Sequence, residues 1–501
     1  MILGYNVIDT ILFSEPLPVI KQRLRSARKD FFESSDRIII DQDIEDRYPY
    51  VDSPGVKLIE IQKIINDVDI SNCFILLRTC NHDIQNEINF ITKFYSVDPI
   101  PINFLIINGA YKKDTLKYQN TACQKLWNHL YIGTDGNVNP CCIADHRFPL
   151  GNVHQEDIDS IIYSKKSKQL RKWMMQGYRS IACSTCYLKE DSAIKSAREI
   201  CDPLTQTVNI DYLDIRINNI CNFKCRMCSE YFSSAIQQET VEIYGRDAKL
   251  GLEQISLDRF STSERTEFFK KIVPYITTGL KKIYFAGGEP LLAIEHYQIL
   301  DELLKIGNTN LEIYYNTNLS KLKYKNLNAT DRWCQFKNVT VGASIDASDA
   351  VAEYVRHGTI WSDIVSNIHF IKKHAPHVKL QITSTVSSLT IENLISLQNT
   401  WIDNQLFCVD DFYVQVLVAP NFLSPAALPQ HHKQRLGNII QNHIQRFEGT
   451  RLAKQWNDVL QWMNNNDYTF ALNEFSRRTQ VLDAHRSESF ETIFPEYKDL
   501  L

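Results

Sequence analysis

The sequence predicts an α/β protein built on a partial (β/α)6 barrel, with a small α/β domain and a cysteine-rich module before it and a helical tail after it. Three observations carry this. Between Val208 and about residue 420, six short strand signals alternate with helical segments; ahead of them lies a stretch dense in cysteine; and after Pro429 the chain shows helical periodicity without a strand signal. At 501 residues the chain exceeds what one hydrophobic core usually supports, so several domains are expected.

Residues 1–115 alternate apolar stretches, such as Arg37–Ile40, Phe74–Leu77 and Ile102–Ile107, with helical-period segments such as Asp83–Tyr95. This is the pattern of a small α/β domain, which we assign to recognition. Its acidic run, Asp41, Asp43, Glu45 and Asp46, has neither a calcium-loop spacing nor a His partner and reads as a solvated loop. Residues 116–205 hold cysteines, an Asp135-Gly136 turn and a basic helix over Ser164–Met175. Such a segment is built around something other than an apolar core.

Residues 206–428 carry the strand signals Leu213–Ile217, Lys282–Ala286, Leu311–Tyr315, Val339–Ile345, Lys379–Val386 and Phe412–Val418. Strands separated by helices must pair in parallel through right-handed crossovers, so functional groups gather at their C-terminal ends. Residues 429–501 read as a helical extension, clearest over Gln434–Phe447 and Leu452–Met463.

Composition narrows the function classes. With 44% hydrophobic and 23% charged residues the chain is ordinary globular protein, and a net charge of -4 without a Lys/Arg block implies neither nucleic acid nor a membrane surface as partner. The apolar start, Met1–Phe13, has no basic flank and no small-residue cleavage site, and no apolar run reaches membrane-spanning length, so the expected location is the cytoplasm. There thiols stay reduced, and clustered cysteines are metal ligands or catalytic groups more often than disulfides. Cys73, Cys80, Cys334 and Cys408 stand apart from the clusters and read as small buried hydrophobes.

Directly after the first barrel strand comes Cys221-Asn-Phe-Lys-Cys225-Arg-Met-Cys228. Three thiolates so close can hold three corners of a cubane cluster and leave the fourth iron open to a ligand. Structural zinc would want a fourth protein ligand that this loop does not supply. Upstream, Cys123, Cys141 and the pair Cys183 and Cys186 offer four thiolates, enough to fill either a second cubane or a zinc ribbon. Cys142 is an alternative to Cys141, and Cys201 falls outside the set.

The three-cysteine loop resembles the CxxxCxxC loop of the radical S-adenosylmethionine (SAM) superfamily in spacing and in position. The resemblance continues in Gly287-Gly288-Glu289-Pro290 after the second strand, Asn318 after the third, and Ser344, Asp346 and Arg356 after the fourth. It implies that Gly287, Gly288 and Glu289 bracket the SAM ammonium, that Ser344 and Asp346 lie by the ribose and carboxylate region, that Arg356 pairs the carboxylate and that Asn318 lines the cleft. One departure is Met227, where the family loop often has an aromatic residue. Upstream, Cys123, Gly136, Cys141, Leu150–Val153, Leu170-Arg171 and Cys183 with Cys186 are similar to the twitch module, a four-cysteine relative of the SPASM domain, here placed before the barrel.

The resemblance favours iron-sulfur over zinc upstream. It implies an enzyme that reductively cleaves SAM to a 5'-deoxyadenosyl radical and abstracts hydrogen from a small-molecule or peptide substrate. Two 4Fe-4S clusters, one SAM-cleaving and one auxiliary, and an electron donor such as flavodoxin or ferredoxin follow from it. An iron-sulfur sensor that never turns over SAM, or a radical SAM methyltransferase, are the alternatives.

Overall fold

Alternation of side chains along the barrel strands sets the architecture. The computed structural model describes residues 110–112, 121–146, 148–191, 195–201, 204–245 and 262–501. The expected N-terminal α/β domain, apart from residues 110–112, lies outside the described residues together with its acidic run, Cys73 and Cys80. The chain divides into two compact units: Met1–Leu126, Ile143–Leu150 and Asp159–Gln206 form one, and Trp127–Cys142, Gly151–Ile158 and Thr207–Leu501 the other.

All six expected strands form in the second unit: β1 (Tyr212–Arg216), β2 (Lys282–Ala286), β3 (Glu312–Thr317), β4 (Asn338–Ala343), β5 (Lys379–Val386) and β6 (Phe412–Val416). They pair in parallel, in sequential order from β1 to β6. Helices α1 (Ser234–Tyr244) and α2 (Thr262–Ile272) connect β1 to β2, α3 (Ile294–Lys305) follows β2, α4 (Trp361–His374) follows β4, and α5 (Ile391–Asp403) follows β5. Three strands of the cysteine-rich segment extend the same sheet: His129–Ile132 runs parallel to β1, and Asn137–Asn139 and Gly151–Asn152 follow antiparallel.

The two faces of the strands differ in kind. Ile283, Phe285, Ile313, Val341, Ile382 and Phe412 are fully buried on the face covered by helices. There Phe285 stacks on Tyr315 at 5.2 Å, and the Tyr315 hydroxyl meets His296 Nε2 of α3 at 2.8 Å. Burial, with help from Arg332, holds His296 down to about 3, so the ring is neutral there. The opposite face is polar. Arg216 pairs with the fully buried Asp214 at 3.0 Å and lies 4.6 Å from the Tyr284 ring, and Lys282 sits between Tyr212 and Tyr314. A barrel packed shut would carry branched apolar residues at these positions.

The C-terminal extension belongs to the same unit. Helices α6 (Gln430–Arg446) and α7 (Arg451–Asn465) pack together, and α7 covers the open edge of β6, where Gln455 Oε1 accepts the Val414 N–H at 3.0 Å. An edge left bare would be a template for unwanted pairing. Trp456 and Trp462 bury their rings and donate to Gln398 and Ser424. Helix α8 (Leu472–Arg486) ends in a left-handed Ser487. Among the described residues no helix is long and apolar enough to cross a membrane.

In the first unit, Ala110–Lys112 pairs antiparallel with Tyr178–Ser180. The basic helix runs over Lys165–Met175, with Ser164 as its N-cap, and a further helix covers Ser184–Asp191.

Candidate functional site

The loop after β1 is organised by hydrogen bonds to its own backbone. Asn218 Oδ1 accepts the Ile220 N–H at 3.0 Å, Ser234 N–H donates to Asn219 at 2.7 Å, and Ser233 Oγ donates to Phe223 at 2.8 Å. Lys224–Cys225 forms a two-residue antiparallel bridge with Arg356–His357. Cys228 N–H turns back to Cys225 O at 3.0 Å, and Arg226 N–H donates to Val355 O at 2.9 Å. Phe223, Cys225 and Arg226 are buried, while Cys221, Met227 and Cys228 are partly exposed.

The end of β2 is stitched onto this loop. Gly288 N–H reaches Asn218 O at 3.2 Å and Glu289 N–H reaches Ile220 O at 2.7 Å. A Cβ at position 288 would lie 2.3 Å from the Ile220 carbonyl oxygen, so only glycine permits the approach; Gly287, at φ +118°, has a backbone that favours glycine as well. Glu289 is buried and its carboxylate accepts from Thr317 Oγ1 at 2.7 Å, Asn318 N–H at 2.7 Å and Leu291 N–H at 3.2 Å. Burial raises its pKa to about 7 against the pull of those donors. Asn318 continues the chain of contacts, donating to Asn222 of the cysteine loop at 2.9 Å.

Ser344, past the end of β4, is partly exposed and donates its N–H to Thr317 O at 2.8 Å. Asp346 is fully buried: one oxygen takes Arg356 Nε at 2.6 Å and the other the Thr385 N–H at 2.7 Å. Arg356 in turn directs Nη1 to Cys225 Sγ at 3.8 Å. Asp346 therefore acts on Arg356, and Arg356 stands against the middle cysteine. Gly287, Gly288, Glu289, Asn318, Ser344, Asp346 and Arg356 thus gather at the C-terminal ends of β2 to β4, beside the loop.

The other cysteines divide between the units. Cys123, Cys183, Cys186 and Cys201 belong to the first, Cys141 and Cys142 to the second. Cys183 closes a short turn and Cys186 lies in the first turn of the following helix, with its thiol buried. The Arg198 N–H donates to the Cys186 sulfur, and the Arg198 guanidinium grips Glu190 through two hydrogen bonds of 3.0 and 2.6 Å. Cys201, outside the set expected from spacing, brings its sulfur within 3.9 Å of Cys123. Cys334 and Cys408 correct an expectation: both are exposed rather than buried, because one caps the end of a short helix and the other precedes a 3-10 turn. None of the eleven described cysteines is in a disulfide.

Residues 215–387 match the family model of the radical SAM superfamily, from within β1 to just past β5. These residues form a radical SAM domain. Residues 123–187 match the SPASM model, an iron-sulfur cluster-binding domain, and this span holds Cys123, Cys141, Cys183 and Cys186. The radical SAM domain thus follows its SPASM-type module in the chain. No curated protein sequence matches.

Solved structures similar to it at low identity include a native anSMEcpe with bound AdoMet, at 15% identity and a TM-score of 0.31, covering 52% of this chain and 64% of that one. Another anSMEcpe structure, with AdoMet and a Cp18Cys peptide, has 18% identity and a TM-score of 0.30, covering 47% and 60%. SuiB of Streptococcus suis, bound to S-adenosylmethionine, has 15% identity and a TM-score of 0.32, covering 48% of each chain. The match therefore spans less than two thirds of each of these proteins.

A radical SAM domain uses a 4Fe-4S cluster and SAM, and a SPASM-type module an auxiliary iron-sulfur cluster. The residues present suit the first of these. Three thiols stand on one tightly held loop, and burial, reinforced by the neighbouring Cys225, raises the Cys228 thiol to about 12. Burial likewise raises Cys221 and Cys225, so these sulfurs keep their protons until a metal displaces them. Sequence reading missed Asp214 and Arg216. The signal was there, in charges at alternate positions of the apolar Tyr212–Arg216 strand, facing away from the helices.

Proposed function

We propose that the chain reductively cleaves SAM at a cluster held by Cys221, Cys225 and Cys228 and abstracts hydrogen from a small-molecule or peptide substrate. Bound there, the cluster and SAM supply an electron and a 5'-deoxyadenosyl radical. One observation carries the reading: the cysteine loop, Gly288-Glu289, Asn318 and Arg356 are joined by direct hydrogen bonds into one wall. A protein that merely stored a cluster has no use for that wall.

In this reading the carbonyls beside Gly287 and Gly288 and the remaining acceptor capacity of Glu289 receive the SAM ammonium. Arg356, oriented by Asp346, faces the SAM carboxylate, and Ser344 and Asn318 line the cleft. The polar face of the strands, with Asp214, Arg216, Lys282 and Tyr284, supports a polar substrate, held by hydrogen bonds and charge in a site that excludes water. Cys123, Cys141, Cys183 and Cys186 would hold the auxiliary cluster, which would supply electron transfer rather than SAM activation. A flavodoxin or ferredoxin in the cytoplasm supplies the reducing electron.

The test is anaerobic reconstitution followed by incubation with SAM and dithionite. Formation of 5'-deoxyadenosine is expected. A protein loaded with iron that forms none would overturn the proposal.

A further inference from the structure

The helical extension after residue 429 has no role in the proposal above, yet its helix α8 ends against the cysteine loop. Cys225 lies between two cations, Lys224 and Arg226. Arg226 is buried, and its guanidinium is paired with Asp483 and, at 2.6 Å, with Glu488, while lying 3.7 Å from the Tyr354 ring. Asp483 also accepts the Tyr354 hydroxyl at 2.8 Å and the Phe490 N–H at 2.6 Å, and Glu488 takes His357 Nδ1 at 2.7 Å.

On the other flank, Lys224 reaches Glu239 of α1 at 2.9 Å. Glu239 is held in turn by Arg486 through two bonds of 2.9 and 2.6 Å, with both side chains at most 3% exposed. Burial works against the Glu239 charge, but the hydrogen bonds from Arg486 and Lys224 outweigh it and pull the carboxyl down to about 2. Both neighbours of Cys225 are therefore tied to residues at the end of α8.

We propose that Asp483, Arg486 and Glu488 are positioning residues: the end of α8 and the turn after it clamp the cysteine loop and neutralise Arg226, and so set the geometry and reduction potential of the cluster. The inference rests on the reading that this loop holds the cluster. Broken pairs that stay buried are costly, which makes the clamp stiff. Removing the two carboxylates leaves Arg226 uncompensated beside the cluster, and a positive charge there favours the reduced state.

The experiment uses the full chain with Asp483→Asn and Glu488→Gln combined, Glu488→Gln alone, and Glu474→Gln on an exposed turn of the same helix as control. Hydrogen exchange of the amides of residues 222–228 is measured before reconstitution, and the midpoint potential and electron paramagnetic resonance spectrum after it. The double variant should exchange at least about ten-fold faster in the loop, with the potential raised and the spectrum altered; the control should match wild type. Glu488→Gln alone, which keeps the Asp483 contacts, should show the same changes to a smaller extent if the double variant does not fold. Unchanged loop exchange in a folded variant overturns the clamp. If wild type takes up no cluster that responds to SAM, the cluster reading and the claim on the potential fall, and exchange still decides the clamp.

Discussion

The loop bearing Cys221, Cys225 and Cys228 is fixed by contacts from remote parts of its unit, such as Asn222 with Ser320, 98 residues on, and Arg226 with Glu488, 262 residues on. Cys183 and Cys186 ride instead on a turn and a helix start, braced by the Arg198–Glu190 pair, whose members are only eight residues apart. On the proposed ligand sets, the contrast follows from the number of protein ligands each site would supply. A site that leaves one iron open must place that iron against a second reactant, so its loop is over-determined by the fold; four thiols can organise themselves around a closed cluster.

Cys225→Ala breaks the first site most completely. It should abolish 5'-deoxyadenosine formation, and removing all three loop cysteines should lower the iron content from about eight to about four per chain. Replacing Cys183 and Cys186 with Ala should have the complementary effect. Uncoupled SAM cleavage persists while about half the iron is lost, and substrate conversion stops; a soluble double variant with a filled catalytic site that cannot cleave SAM would erase the proposed division of labour.

Glu289 sharpens the comparison by pH. Its folded pKa, about 7, lies above the unfolded value of 4.5, so its contribution to stability is present below pH 4.5 and lost as pH rises through 7. Glu289→Gln should remove that slope from the melting profile of the metal-free protein, a difference on the order of 3 kcal/mol across the window. Gly288→Ala forces a Cβ against the backbone of Ile220 and should cost about 1–3 kcal/mol, with poorer cluster loading, by thermal melting and iron analysis. The smallest effect belongs to cysteines outside both sites. Cys334→Ser and Cys408→Ser should change stability by no more than about 0.5 kcal/mol, and among the described cysteines of wild type these two exposed thiols should alkylate first.

The strand pattern and the cysteine spacing were legible in the sequence because each is local. Alternating apolar positions placed all six barrel strands, with β2 and β5 matching the observed bounds, and the motif residues came out at the strand ends where parallel topology sends them. The exposure of Cys334 and Cys408 was misread because burial depends on what packs over a residue. The contribution of His129–Ile132 to the barrel sheet was equally hidden, since a strand's neighbour is a property of the fold.

The sequence by itself determined the chemistry: three thiols on one loop, the glycines that let a strand end meet it, and an arginine to follow. Tertiary structure alone decided how those groups are held. It committed Asp346 to Arg356, gave Glu289 to Thr317 and Asn318, brought Cys201 to Cys123 and set the end of α8 against the cysteine loop. The physical reason is range. Ligand identity and turn geometry are fixed within a few residues, whereas the partner of a buried charge is whichever opposite charge the folded chain carries to it, and no period or spacing in the sequence records that.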